Sequence, residues 1–332
     1  MKELFGTLTT GESVYAYTLK SGDATLKVLD LGAIIQSFTV GEIDIIGGFD
    51  EAQSYIGDAS HQGGVIGRVA NRVAGASFKM NGKVYNLIKN DGNNSLHGGI
   101  GFDRRMWKVV EYGENFITLE YVSQSGEDGY PATLKAKVTY TLSHSTLIIS
   151  YEATPDGMTP IALTNHSYFN LNGFGGTVLS HKARLYADSF TEVNGELIPN
   201  GNHPSVIGTP FDFREPKEIG LDIGEGFNGY DHNIVLSPKS YKSFGKKSLG
   251  LGAEIWGDSL MMRVYTDQPG IQFYTANFLG NGPDFKGGVP QIKYGGLCLE
   301  TQTEPDSLNH GIGFYDKGDT YTHTAVYEIT KI

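Results

Sequence analysis

What most constrains this chain is a period of two. From Phe116 to Ala153 apolar and polar side chains alternate through ITLEYVS, LKAKVTYTL and TLIISYEAT, with turns at Gly126, Asp128 and Gly129 and then at Ser-His-Ser. Successive side chains of an extended strand point to opposite faces, so this alternation marks half-buried strands, and three of them joined by short turns predict an antiparallel meander. The pattern returns in ATLKVLDL, in SFKMNGKVYNL with its Asn-Gly turn, in LMMRVYTDQPGIQFYTANF and in TYTHTAVYEIT. The chain has 45 glycines in 332 residues, about double the usual share, which supply turns, while 19 tyrosines and 17 phenylalanines favour strands. Helix signals are short, the clearest being DEAQSYIG with Asp50 as the expected N-cap. The expected fold is all-β, a large antiparallel β-sandwich with few short helices. No repeat or linker divides the chain, and the basic PKSYKSFGKKSLGLG near 237–250 suits a hairpin tip, so a single domain over 1–332 is expected.

Charge narrows the partners. A formal net charge of −11 repels nucleic-acid phosphates and anionic lipid surfaces, which leaves a neutral small molecule as the expected partner. Cys298 is the single cysteine, so no disulfide forms within the chain and a reducing compartment fits; it is expected to be a small buried apolar residue. The opening MKELFGTLTTGESV lacks the apolar core of a secretion signal, and no stretch has the roughly 20 apolar residues that span a bilayer. A cytoplasmic protein, without membrane contact, is expected.

Strand parity also groups candidate functional residues. In IALTNHSYF, His166 and Tyr168 share a face opposite Ile161 and Leu163; in GIQFYTANF, Gln272 and Tyr274 oppose Ile271 and Phe273; in GGLCLETQ, Cys298, Glu300 and Gln302 oppose Leu297 and Leu299. If those strands are neighbours, one sheet face presents an imidazole, a carboxylate and amides, a set matched to a polyhydroxylated ligand. Loops add Asn71 and Arg72 in GRVANRVAG, His97 in NSLHGG, and Asp231 with His232 in GYDHN, while Tyr168, Tyr274 and Trp107 offer aromatic faces for a pyranose ring. Each has a plainer use: His97 before two glycines suits a turn, Asp231 a loop cap, Arg72 a surface charge. Glu300 is harder to explain that way, because a carboxylate directly after Leu-Cys-Leu in a strand is either paired or used.

Taken in order, GGVIGRVANRVAGASF, LHGG with GFDRRMW, LTNHSYFNLNG, YDH, GIQFYTANFL, LETQTEPD and HTAVYEI resemble the aldose 1-epimerases along the whole chain. The resemblance implies the galactose mutarotase-like supersandwich and interconversion of the α and β anomers of free hexoses such as galactose and glucose. It further implies Glu300 as general base and His166 as general acid. Asn71, Arg72, His97, Ser167, Tyr168, Asp231 and Gln272 would bind the sugar. No cofactor or metal is expected, and a monomer or weak homodimer is. Glu300 is expected ionised and His166 protonated. Glu304, before Pro305, is expected to be a loop residue, and after Asp306 the segment SLNHGIGFYDKGDTYTH departs from the family pattern. Three alternatives remain: a hexose-6-phosphate 1-epimerase using Arg68, Arg72, Arg104 and Arg105 on the phosphate, a glycoside hydrolase pairing Asp231 with Glu300, and a non-catalytic carbohydrate-binding protein.

Overall fold

A computed structural model describes all of residues 1–332. The meander forms as expected: Phe116–Ser123, Leu134–Ser143 and Thr146–Pro155 are antiparallel neighbours. They belong to a ten-stranded sheet that continues through Tyr321–Lys331, Leu260–Thr266 and Lys247–Trp256. Alternation in sequence becomes alternation in burial. Leu134, Ala136, Val138, Tyr140 and Leu142 are fully buried, whereas Lys135 and Lys137 between them reach solvent. Each leucine or valine among them contributes about 1.5–3 kcal/mol by leaving water.

Two smaller sheets face this one. A five-stranded meander runs through Lys2–Thr7, Ser13–Ser21, Ala24–Leu29, Ile35–Val40 and Ile43–Asp44, and a four-stranded sheet orders Ala187–Phe190, Asp231–Leu236, Gly270–Tyr274 and Cys298–Gln302. The main core draws Leu26, Val28 and Phe38 from the five-stranded sheet, Val138, Ile149 and Tyr327 from the long one, and Ile234, Ile271, Phe273 and Leu299 from the four-stranded one. The architecture is therefore an all-β sandwich with few short helices.

Local chemistry decides several details. Asn81 and Gly82 both take positive φ, the geometry a two-residue hairpin turn between Ser77–Met80 and Lys83–Asn86 requires. The 237–250 segment is a hairpin tip, with Tyr241–Phe244 paired to Lys247–Trp256. Within LMMRVYTDQPGIQFYTANF the chain changes sheets: Leu260–Thr266 stays in the long sheet, and Gly270–Tyr274 joins the four-stranded one. Asp50 is not an N-cap. The helix Ala52–Gly57 has Glu51 at that position with no side-chain cap, and Asp50 instead accepts the Gly287 N–H at 2.8 Å. Asp306, from which the divergent segment leaves, is tied to the Arg72 loop: its N–H donates to Arg72 O at 2.8 Å and its Oδ1 accepts from Ala74 N at 2.9 Å. No helix is long and apolar enough to cross a membrane.

Candidate active site

The four-stranded sheet sorts its side chains by parity. Asp231 lies directly opposite Tyr274, Gln272 lies between Asn233 and Glu300, and Tyr274 is opposite Cys298. Directly paired residues point the same way, so Asp231, Gln272, Tyr274, Cys298 and Glu300 share the face turned away from the main core. That face floors a cleft of about 410 Å³, within the range of small-molecule sites. Loops cover it so fully that every residue of Gly270–Tyr274 and Cys298–Gln302 is buried on both faces. Gln272 Nε2 donates to Asp231 Oδ1 at 2.7 Å, while Gln272 Oε1 and Glu300 Oε2 are buried acceptors with no protein partner. Buried acceptors cost about 1–3 kcal/mol each until something donates to them, so this floor favours a ligand rich in hydroxyls.

His166 arrives by a different route from the parity expectation. Thr164–Asn165 is a two-residue strand paired to Val65–Ile66, and His166 stands just beyond it. The segment is fixed beside the Glu300 strand at two points: Thr164 Oγ1 donates to Thr301 O at 2.8 Å, and Phe169 exchanges backbone hydrogen bonds with Leu297. Its other side is tied to Gly63 and Gly64 by backbone bonds of 2.9 and 3.0 Å. The result places His166 Nε2 3.7 Å from Glu300 Oε1, too far for a hydrogen bond, so neither group is consumed by the other. His166 Nδ1 lies 3.6 Å from Cys298 Sγ, and the ring sits among Tyr168, Tyr274 and His97.

The Asn71 and His97 loops lock together. The His97 N–H donates to Asn71 O at 3.0 Å, and the Asn71 N–H donates to His97 Nδ1 at 3.2 Å. With Nδ1 an acceptor, the ring proton sits on Nε2, which is the donor left for a ligand. Arg72 Nε donates to Asp91 Oδ2 at 2.7 Å while the residue still borders the cleft.

Burial acts on the charge of both groups. Burial pushes the Glu300 carboxyl well above the carboxylate range; the nearby Asp231 charge adds to the shift and Arg72 opposes it. Burial lowers His166 to about 3, with His61 adding to the effect, and His97 is also held well below an ordinary imidazole by burial. Burial therefore favours the neutral form of each group, against the charged pair expected of the working enzyme.

Asn71, Arg72, His97, His166, Tyr168, Asp231, Gln272 and Glu300 all line the cleft. Asp231 does so from the first position of a strand rather than from a loop. Ser167 does not: its hydroxyl donates to Asn165 Oδ1 at 2.6 Å, which places it beneath the site. Trp107 packs against Phe102 and Tyr121 in the main core, so it offers no sugar platform. His232 packs on Phe190 and Phe211, away from the cleft. Glu304 is a loop residue held by His203 Nε2 at 2.9 Å. Sequence reasoning missed His61, Asp58, Phe278, Asn281 and Gln291, all on irregular loops without periodicity; the nearest signal is that His61 stands two residues before the GGVIGRVANRVAG motif. The donor atoms of His97, His166 and Glu300 also lie within 4.8 Å of one another, a spacing that can grip a divalent cation.

The cleft is thus polar and floored by a sheet, and it holds a buried imidazole and carboxylate free of one another. Residues 15–328 match the family model described as aldose 1-epimerase, and the chain belongs to that family. It is 38% identical to a galactose mutarotase of Bos taurus, with 99% of this chain and 98% of that protein aligned, and 37% identical to the Homo sapiens protein of the same name. An Escherichia coli aldose 1-epimerase is 38% identical over 78% of this chain and 75% of its own length. The crystal structure of a galactose 1-epimerase from Lactobacillus acidophilus superposes with a TM-score of 0.87 at 25% identity, covering 100% of this chain and 98% of that one.

Proposed function

We propose that the chain is a mutarotase that interconverts the α and β anomers of free hexoses such as galactose and glucose, with Glu300 and His166 as its acid–base pair. The observation that carries this reading is the 3.7 Å approach of His166 Nε2 to Glu300 Oε1 in a cleft floored by unpaired acceptors. The names of the mammalian relatives support galactose as a substrate.

Anomer exchange requires the C1 hydroxyl to lose its proton while the ring oxygen gains one. The C1–O5 bond then breaks, C1=O1 forms, and the sugar opens to an aldehyde. The Glu300 carboxylate takes the first proton and the His166 imidazolium gives the second. Rotation about C1–C2 presents the other carbonyl face, and reclosure returns both protons. Opening leaves Glu300 protonated and His166 neutral, the pattern that burial of the two groups favours. Asp231 and Gln272 on the sheet, with Asn71, Arg72, His97 and Tyr168 from loops, hold the hydroxyls and ring.

The phosphosugar alternative loses its cations. Arg68 is buried and donates to Pro131 O, Ala132 O, Thr159 Oγ1 and Ser123. Arg104 donates to Ile56 O and Asp58 O, and Arg105 to Asp128. Only Arg72 of the four borders the cleft.

Polarimetry of freshly dissolved α-D-galactose and α-D-glucose, with and without the protein, is the test. Acceleration of the drift is expected, and Glu300→Gln should lose at least about a hundredfold in kcat while still binding sugar. Sugar binding without acceleration would mark a non-catalytic carbohydrate-binding protein.

A further inference from the structure

We propose that His61, oriented by Asp103, is a further substrate-contacting residue whose Nε2 takes one hydroxyl of the bound hexose and so helps set which sugars the cleft accepts. The proposal rests on the sugar-binding reading above and assigns no proton-transfer step to His61.

His61 borders the cleft with its side chain 12% exposed, and it completes a group of three imidazoles. Its ring centroid lies 4.8 Å from that of His97 and 5.9 Å from that of His166. The loop that carries it is fastened to the His166 segment. Gly63 and Gly64 exchange backbone bonds with His166, and Asn165 Nδ2 donates to Gly63 O at 2.8 Å. His61 is thus tied to the same piece of chain that positions the proposed acid.

One nitrogen of the ring is already committed. His61 Nδ1 and Asp103 Oδ2 are 2.8 Å apart, so Nδ1 carries a proton toward the carboxylate and Nε2 is the atom left for a ligand. Asp103 is held hard in place. A Cβ at Gly32 would come within 2.1 Å of Asp103 O, one at Gly64 within 2.4 Å of Asp103 Cβ, and one at Gly101 within 2.5 Å of Asp103 Oδ1. Three glycines therefore clear the space for a buried carboxylate whose partners are His61 and, at 3.8 Å, Arg104 Nε. A carboxylate behind a histidine that faces a cleft fixes the ring's tautomer and direction.

Backbone conformation points the same way. His61, Asn71 and His97 all border the cleft and all hold φ between +52° and +60° without being glycine. Such a conformation is strained for a residue that carries a Cβ. Two of these three are already expected to bind sugar, and His61 shares their strain, their cleft and their chemistry.

The test is steady-state kinetics on the full chain with hexose and its 2-, 3-, 4- and 6-deoxy analogues. Because His61→Phe alone would strand the Asp103 charge, it is paired with Asp103→Asn. The double variant is expected to raise KM about fivefold to tenfold for the hexose, with kcat changed less than about threefold. For one deoxy analogue the variant and the wild type should have nearly the same KM, because the hydroxyl that His61 holds is missing. His61→Gln, which keeps a donor and an acceptor, should restore most of the affinity. Asp103→Asn alone, which leaves the imidazole but loosens it, should raise KM about threefold and serves if the double variant does not fold. A KM within about twofold of wild type for either variant, or an equal effect on every deoxy analogue, would overturn the proposal. Glu300→Gln run in parallel separates the two claims, since its kcat tests the acid–base pair and is independent of His61.

Discussion

At the scale of single residues, the pair His166 and Glu300 dictates a pH profile. Turnover needs one proton shared between them. His166 is lowered to about 3, so the pair takes up a second proton only near that pH, and Glu300 is raised, so the single proton is lost only well above the usual carboxylate range. The expected kcat/KM profile has a plateau whose acid limb lies near pH 3, far below an ordinary imidazole at about 6.5. Stopped-flow polarimetry at brief exposure reads it, and an acid limb near 6.5 would show that His166 titrates as a solvated histidine. Much of this residue set is legible in sequence because Gln272 and Glu300 obey strand parity and end as direct cross-strand partners. His61 is not, since its position depends on a turn that no periodicity encodes and on Asp103, 42 residues away. The protonation pattern also escapes sequence, because it follows from burial by loops that the parity argument leaves out.

Among the elements, the Leu96–Gly99 turn shows how much of the site depends on backbone that only glycine permits. Gly98 has φ +82°, and a Cβ there would meet Gly67 O at 2.1 Å and Arg68 N at 2.5 Å, both main-chain atoms that have no rotamer to escape into. Gly98→Ala should destabilise the fold by about 2–6 kcal/mol, the sum of positive-φ strain and a backbone clash. It should also raise KM, because the adjacent His97 is displaced from Asn71. Denaturant melts together with KM measurements check both parts; an unchanged midpoint would mean the turn is free to rearrange. Strands with one solvent face, such as Leu134–Ser143, announce themselves by alternation, and their boundaries follow. The Thr164–Phe169 segment runs between two buried layers, so its place is set by tertiary bonds to Thr301, Leu297 and Gly63 rather than by its own pattern.

For the whole molecule, the question is whether any cut through the chain leaves two folded parts. The main core joins Tyr17 to Ile329 without a break, and the last strand runs through it. Tyr321–Lys331 is paired on one edge with Thr146–Pro155 and on the other with Leu260–Thr266, so the chain's end is the middle of the ten-stranded sheet. Its Tyr327 hydroxyl donates to Leu299 O at 2.9 Å, and His323 Nε2 lies 2.8 Å from Thr301 Oγ1. The strand thereby supports the backbone on both sides of Glu300 from behind. We therefore expect a chain ending at Asp319 to lose the fold outright rather than merely the activity, because removing the strand exposes two sheet edges and the apolar residues Tyr321, Ala325 and Tyr327 leave the core. Calorimetry of the full chain should show one transition, coincident with loss of mutarotation. Two resolved transitions, or a truncated chain that keeps a cooperative melt, would mean that the sheets on the two sides of the last strand fold independently and that one domain is the wrong description.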